Sequence, residues 1–313
     1  MSPCPRKSNN SGKASALLLA LLAVLLIISK SAFAQIQRTG GADPSACTTP
    51  AAGSDTSEAC GLLNQGIRAF QAGDLDIAIE AFKQAKTLEP TLIKAHLSLA
   101  MAYASRYVPG AASEENASQG QQAVEEYKEV LTGDPNNLTA IDGIAAVLFN
   151  MAGGSPPDLS KLSESKYYRQ RHLAVQNDDP EPYYWIGVID WDIANQANKD
   201  LRASSNLESP EKPVGENDAM PPAKAIEFRA DNAATIEDGI THLTMAIDRR
   251  PEYDDAMAYL NLLYRQKADT ETTPEARAAD IQAADDLVDK AKAIKKHRAK
   301  NCAPPPTKGF DSN

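Results

Sequence analysis

Aromatic residues make up only 6% of this 313-residue chain, although 42% of its residues are apolar. Apolar and polar residues also do not alternate over any stretch long enough to indicate an amphipathic strand. These two absences exclude a β-rich fold. They favour helices that pack closely through small aliphatic side chains, chiefly alanine and leucine.

The short motifs of nucleotide-binding and hydrolytic sites are missing too: the sequence contains no GxGxxG, GxxxxGK, GxSxG or HExxH. Its histidines are His96, His172, His242 and His297. They fall on separate predicted helices at no metal-ligand spacing, and we interpret His172 as a solvated or partly buried helical residue. Asp190 and Asp192 flank Trp191, but residues two apart on a helix point in different directions. We therefore expect no catalytic residue, cofactor or metal ion, and no enzymatic activity.

Long apolar runs are also absent, except for one near the N-terminus. Three cations precede this run of about fifteen residues, and the small residues Ala32 and Ala34 follow it. The pattern predicts a secretory signal peptide over residues 1–34, cleaved before Gln35. This run is shorter than the about 20 residues that a membrane span needs, which favours cleavage. An uncleaved membrane anchor is the alternative. We expect an exported protein, periplasmic or extracellular, that contacts the membrane only if this segment is retained.

Basic residues are fewer than acidic ones, with 32 lysines and arginines against 42 aspartates and glutamates. The net charge is −10, and residues 1–34 carry four positive and no negative side chains, so cleavage would change it to −14. Such an acidic chain is not expected to bind nucleic acid. A local basic stretch at 289–300 is interpreted as the end of a terminal helix, where cations complement the helix dipole.

Only four cysteines are present, and Cys4 belongs to the predicted signal peptide. Cys47 and Cys60 lie in and just after a polar linker ahead of the first repeat. In an oxidising compartment their pairing would close a loop of about a dozen residues, which makes them the candidate disulfide. Cys302 either pairs through a folded-back C-terminal tail or stays a free thiol.

A repeated spacing is the main positive feature of the sequence. A small residue is followed after four positions by a larger apolar residue, after three more by another small or aliphatic residue, and after five more by proline. Three copies are Ala78, Phe82, Ala85, Pro90; Ala123, Tyr127, Val130, Pro135; and Gly239, Leu243, Ala246, Pro251. A last copy is Ala284, Val288 and Ala291, with Lys296 in place of the proline. Steps of four and three keep these side chains on one helix face, and the proline ends the hairpin.

The segment QGIRAFQAGDLDIAIEAFKQAKTLEP at 65–90 resembles a tetratricopeptide repeat (TPR). The residues on the signature positions of that family are Gly66, Gly73, Asp74, Ala78, Phe82, Ala85 and Pro90. Weaker copies extend the resemblance over roughly residues 58–298. It implies an all-α solenoid of about five helical hairpins, some of them lengthened by inserts.

The predicted organisation follows from these copies. After a polar linker at 35–57, the helical repeat domain spans 58–298, and a disordered tail follows at 299–313. The hairpins are predicted at about 58–90, 91–135, 138–178, 181–251 and 254–298, the fourth with an insert at 198–231. In the third hairpin the turn falls at Pro180 or at Asn177.

In the TPR family, the first helices of successive hairpins line a concave face that holds peptides or partner helices. The positions that this resemblance assigns to partner binding are Phe70, Lys94, Leu97, Met101, Phe149, Tyr184, Val188, Trp191 and Arg265. The cluster of tyrosine and tryptophan at 183–191 could equally anchor a partner or fill the core.

The resemblance thus implies an exported, non-catalytic scaffold that binds a protein or peptide through its concave face, with cell-envelope assembly as a possible setting. Two alternatives remain open at this stage. One is a membrane-tethered organiser that keeps its signal anchor, and the other is an accessory subunit of an envelope enzyme.

Overall fold

The computed structural model describes residues 55–205 and 219–301. Within these ranges the chain forms ten α-helices and no strand, which confirms the predicted all-α fold. The helices are α1 (Asp55–Ala72), α2 (Leu75–Leu88), α3 (Ile93–Arg106), α4 (Glu114–Gly133), α5 (Leu138–Ala152), α6 (Leu159–Val175), α7 (Pro180–Ser204), α8 (Pro222–Arg249), α9 (Asp254–Ala268) and α10 (Pro274–Asn301). The predicted signal peptide, most of the linker with Cys47, and the tail beyond 301 with Cys302 lie outside the described residues.

These helices form five hairpins, as the resemblance implied. Helix α1 packs on α2, α3 on α4, α5 on α6 and α9 on α10. The pairing of α7 with α8 is visible where Asp190 on α7 approaches Gly239 on α8. The chain divides into two compact units, with the division between Ile189 and Asp190. The first described unit, 55–189, holds α1 to α6 and the start of α7, and the second holds the remainder.

The core of residues 55–189 is built by the repeated spacing itself. Phe82 and Tyr127, the larger residues of the first two copies, are almost completely buried. Each ring packs against a glycine on the first helix of a hairpin. A Cβ atom added at Gly66 would lie 2.4 Å from the Phe82 ring, and one added at Gly143 would lie 2.4 Å from the Tyr127 ring. These two close approaches require glycine, because a Cβ would overlap with the aromatic rings.

In the second unit, one turn holds two other segments of the chain. Arg202, near the end of α7, places Nη2 2.7 Å from Oδ2 of Asp269, and both side chains are buried. Arg229 on α8 binds both carboxylate oxygens of Glu271 at 3.0 Å. The turn at 269–271 therefore fixes the last turns of α7 and the beginning of α8.

The predicted insert of the fourth hairpin, 198–231, is described only at its two ends, because residues 206–218 lie outside the described residues. At these ends α7 continues to Ser204 and α8 begins at Pro222. Buried Asn198 and Arg202 explain the extension of α7, because their hydrogen bonds to Asp269 tie that part of the helix to the core. Proline at the first position of α8 suits a helix start.

The third hairpin shows how the turn ambiguity is decided. Helix α6 ends at Val175 and α7 begins at Pro180, so Asn177 lies in the turn and Pro180 starts the next helix. Oδ1 of Asp179 accepts a hydrogen bond of 2.9 Å from the backbone N–H of Glu181. An acidic residue followed by proline thus caps and starts the helix.

Candidate partner-binding face

The first helices of the hairpins in residues 55–189 are neighbours. Helix α3 contacts α1 on one side and α5 on the other, in addition to its contacts with the second helices α2 and α4. This arrangement follows from stacking hairpins of similar size, since each hairpin buries its apolar side against the next. It brings together side chains that are distant in the sequence.

A row of partly exposed apolar side chains runs along α1 and α3. Phe70 on α1, and Leu97 and Met101 on α3, pack against the core while keeping part of their surface accessible. Ile67 on α1 does the same. Lys94, one turn before Leu97, is exposed. We call Ile67, Phe70, Leu97 and Met101 the first-helix face.

Phe149 on α5 is also partly exposed, and its ring packs edge-to-face with the ring of Trp185, with 5.1 Å between ring centroids. Trp185 is buried, contacts Tyr184 in the same manner, and lies 5.6 Å below the guanidinium carbon of Arg169. Phe149 therefore stands at the margin of a buried aromatic group.

Two of the residues assigned to partner binding do not lie on an open surface. Tyr184 is 5% exposed and Val188 is 1% exposed. Every residue from Pro182 to Asp190 is buried, so this part of α7 is enclosed on all sides. Of the tyrosine and tryptophan cluster at 183–191, Tyr183, Tyr184 and Trp185 therefore fill the core, which was one of the two interpretations, whereas Trp191 is partly exposed.

A polar network lies beside the buried tryptophan. Asp142 on α5 accepts a hydrogen bond of 3.1 Å from Nη1 of Arg169, and Nδ1 of His172 lies 2.9 Å from the same Oδ1 atom. Arg169 and His172 are buried, whereas the Asp142 side chain is 34% exposed. Burial lowers the pKa of Arg169, and Asp142 opposes that shift. His172 was expected to be solvated or partly buried, but it is 3% exposed.

In the second unit, Trp191 on α7 packs edge-to-face on Tyr259 of α9, with 5.4 Å between ring centroids. Both rings are partly exposed. Asp192 follows Trp191, and burial raises its pKa to about 7 although Lys199 acts in the opposite direction. Burial, followed by the negative charges of Asp192 and Asp255, raises the pKa of Tyr259.

Arg265 on α9, the last residue assigned to partner binding, is held by its neighbours. Its Nη2 atom lies 2.6 Å from Oδ1 of Asp285 on α10, and its Nε donates to Oδ1 of Asn261 at 3.1 Å. The guanidinium is therefore engaged within the hairpin formed by α9 and α10.

One histidine lies closer to carboxylates than the sequence suggested. Asp190, Asp238 and His242 each have one side-chain atom of the kind that binds metal ions, and these three atoms lie within 4.8 Å of one another. Nδ1 of His242 lies 2.8 Å from the carbonyl oxygen of Asp238 and 3.2 Å from its Oδ1. Sequence spacing reveals the Asp238–His242 pair on one turn of α8, but not the approach of Asp190 from α7.

Cys60 at the start of α1 is buried and disulfide-bonded. Its partner cysteine lies outside the described residues, so the pairing with Cys47 stays a prediction. Among the described helices, none is both long and apolar enough to cross a membrane.

Comparisons with known proteins support the fold. No protein-family model matches the sequence, and no curated protein matches it. Among solved structures, the crystal structure of MamA protein is similar with a TM-score of 0.51 and 16% identity, covering 79% of this chain and 97% of that one.

Two further solved structures are described as TPR proteins. YrrB, a TPR protein with an unusual peptide-binding site, gives a TM-score of 0.46 at 13% identity, over 76% of this chain and 92% of that one. TTC0263, a thermophilic TPR protein in Thermus thermophilus, gives 0.36 at 15% identity, over 79% and 96%. The helical hairpins, the repeated spacing and the MamA likeness together establish that this chain has the tetratricopeptide-repeat fold.

Proposed function

We propose that this protein is an exported, non-catalytic scaffold that binds a protein or peptide through the first-helix face. The main support is the row of partly exposed apolar side chains, Phe70, Leu97 and Met101, on two adjacent first helices. Such a row can accept the apolar face of a partner helix or the alternate side chains of an extended peptide.

The residue types of the row suit this role. Leucine and phenylalanine offer apolar area, and methionine adapts its flexible thioether to partners of different shape. Exposed Lys94 adds a cation at one end of the row. The face thus combines an apolar centre with a polar margin, which is the usual arrangement of protein interfaces.

Export is supported by two features. The N-terminal sequence has the cations, apolar run and small residues of a signal peptide. The disulfide at Cys60 suits an oxidising compartment such as the periplasm or the cell exterior. We place the scaffold there and propose cell-envelope assembly as its setting.

The N-terminus of the protein from its native host distinguishes a released scaffold from a membrane-tethered one. Intact-mass spectrometry is expected to give a chain that begins at Gln35. A chain that retains residues 1–34 and sediments with membranes would contradict release and support the tethered organiser.

Partner binding is tested by photo-crosslinking in envelope extracts. A benzophenone amino acid at Leu97 is expected to crosslink discrete partners. The same group at Ile77, which is 54% exposed on the second helix α2, serves as the matched control and should not capture them.

The same crosslinking experiment is repeated with alanine substitutions in the first-helix face. The double variant Leu97→Ala and Met101→Ala is expected to lower the recovery of those partners at least about fivefold, because apolar anchors dominate such interfaces. Ile77→Ala should leave recovery unchanged. If the double variant keeps its helical circular dichroism and recovers the same partners undiminished, the first-helix face is not the binding surface.

A further inference from the structure

A second set of first-helix side chains occurs in the unit that begins at Asp190. Trp191 and Asp192 on α7 lie beside Tyr259 on α9, and both helices are the first of their hairpins. The two rings meet edge-to-face at 75° with 5.4 Å between centroids. All three residues keep part of their surface accessible to a ligand. We call Trp191, Asp192 and Tyr259 the aromatic–carboxylate site.

The carboxylate of Asp192 differs from other desolvated carboxylates of this unit. Asp254 places Oδ1 2.7 Å from Nη1 of Arg298, and Asp269 places Oδ2 2.7 Å from Nη2 of Arg202. Within the described parts of the chain, Asp192 has no hydrogen bond or salt bridge of this kind. A desolvated carboxylate without a close cation is costly to keep ionised.

The charged groups that act within the site are Asp192 itself, Asp255 and Lys199. On α7, Lys199 acts on Asp192 from a distance, two helical turns further along. On α9, Asp255 lies one turn before Tyr259, and both Asp192 and Asp255 act on the phenol. A cation entering the site would therefore be attracted by two carboxylates and repelled by one lysine.

The aromatic rings favour the same class of ligand. The face of a tryptophan or tyrosine ring attracts ammonium and guanidinium groups through its quadrupole, and tryptophan does so most strongly. Lysine and arginine also have long apolar stems that can pack along an indole ring. A carboxylate beside two rings thus complements a long cationic side chain better than it complements an apolar one.

We propose that the aromatic–carboxylate site binds a lysine or arginine side chain of a partner peptide. Trp191 and Tyr259 contact the stem and the charged head, and Asp192 supplies the counter-charge. The inference rests on the proposed scaffold function, to which it adds the chemical class of the partner.

The test uses the purified full chain and two capped pentapeptides, Ac-Ala-Leu-Lys-Leu-Ala-NH2 and its norleucine counterpart, at equal ionic strength. The chain has two tryptophans, so its ¹⁵N spectrum has two indole N–H signals, and Trp191→Phe assigns them. The lysine peptide is expected to shift the Trp191 signal saturably. Its Kd should be at least about fivefold lower than that of the norleucine peptide.

Asp192→Asn keeps the shape of the side chain and removes its charge. This variant should reduce the preference for lysine over norleucine to less than about twofold. The matched control is Asp200→Asn on the same helix, since Asp200 is exposed and accepts a local hydrogen bond from Gln196. The control should keep the full preference.

Three results would overturn the inference: equal affinity for both peptides, no Trp191 shift with either, or an undiminished preference in Asp192→Asn. None of these results depends on the crosslinking at Leu97, which tests the scaffold function on residues 55–189. Conversely, crosslinking could fail at Leu97 while the lysine peptide is still preferred at Trp191. That result would reject the first-helix face as a binding surface and support the aromatic–carboxylate site.

Discussion

The ring of Phe82 occupies the space that a side chain at Gly66 would fill. A Cβ atom at Gly66 would lie 2.4 Å from Cε1 and 2.5 Å from Cδ1 of that ring. The ring is 1% exposed and cannot move outward without opening the core. The two helices of the first hairpin therefore depend on the absence of one methyl group.

Gly66→Ala is expected to lower the free energy of unfolding by about 2 kcal/mol, because overpacking outweighs the gain in helix propensity of about 1 kcal/mol. Urea denaturation followed by circular dichroism measures the change. Gly61→Ala on the same helix is the matched control, since nothing lies within 4 Å of its added Cβ. It should be neutral or stabilising. Equal destabilisation by both variants would contradict the packing argument.

Asp142→Ala should destabilise residues 55–189 by about 3 kcal/mol. The substitution leaves buried Arg169 and His172 without their shared acceptor, and a buried charge that loses its partner is costly. Thermal unfolding is the measurement. Asp178→Ala serves as the control because Asp178 is exposed and lies in the turn before α7. A loss below about 1 kcal/mol would show that water replaces the carboxylate.

The stability of the chain should depend on pH through Asp192. The pKa of Asp192 is about 7 in the folded chain, whereas an exposed aspartate, as in the unfolded chain, has a pKa of 3.8. Between these two pH values the folded state therefore binds more protons than the unfolded state. The contribution of this group to stability therefore rises as pH falls from 7 towards 4. Asp192→Asn should be more stable than the native chain by about 2 kcal/mol at pH 8, with a smaller difference at pH 5.

Urea denaturation at the two pH values measures that difference, and Asp200→Asn should show none. A variant that is less stable than the native chain at pH 8 would mean that the carboxylate is stabilised by its surroundings.

Reduction of the disulfide at Cys60 should lower the free energy of unfolding by about 2 to 3 kcal/mol, the value for a short closed loop. Thermal unfolding with and without a reductant measures it, and Cys60→Ala should abolish the effect of the reductant. Peptide mapping under non-reducing conditions is expected to link Cys60 to Cys47. A link to Cys302 would place the C-terminal tail beside α1 instead.

The fold was predictable because its signal is local and repeated. The spacing that places Phe82 on the repeat face of α2, and Tyr127 on the repeat face of α4, also places both rings in the core. The separation of Asp190 from Asp192 was predictable too, since Asp190 meets Gly239 on α8 whereas Asp192 acts on Tyr259 of α9. These conclusions need only the helical period.

The candidate site was less predictable, because it depends on which side of each helix faces a neighbour. Tyr184 and Trp185 have the composition of an interface anchor, yet they are buried. Aromatic residues serve both purposes, and their sequence alone does not separate them. The contact between Asp142 and His172 joins residues 30 positions apart on adjacent helices, and no local pattern announces such a pair.

The turn at 269–271 has a practical consequence for engineering. Because Arg202 and Arg229 bind there, the chain is secured on each side of residues 206–218. A reporter peptide inserted within 269–271 would therefore release Arg202 on α7 and Arg229 on α8 at the same time, so this turn is a poor insertion point although it joins two helices.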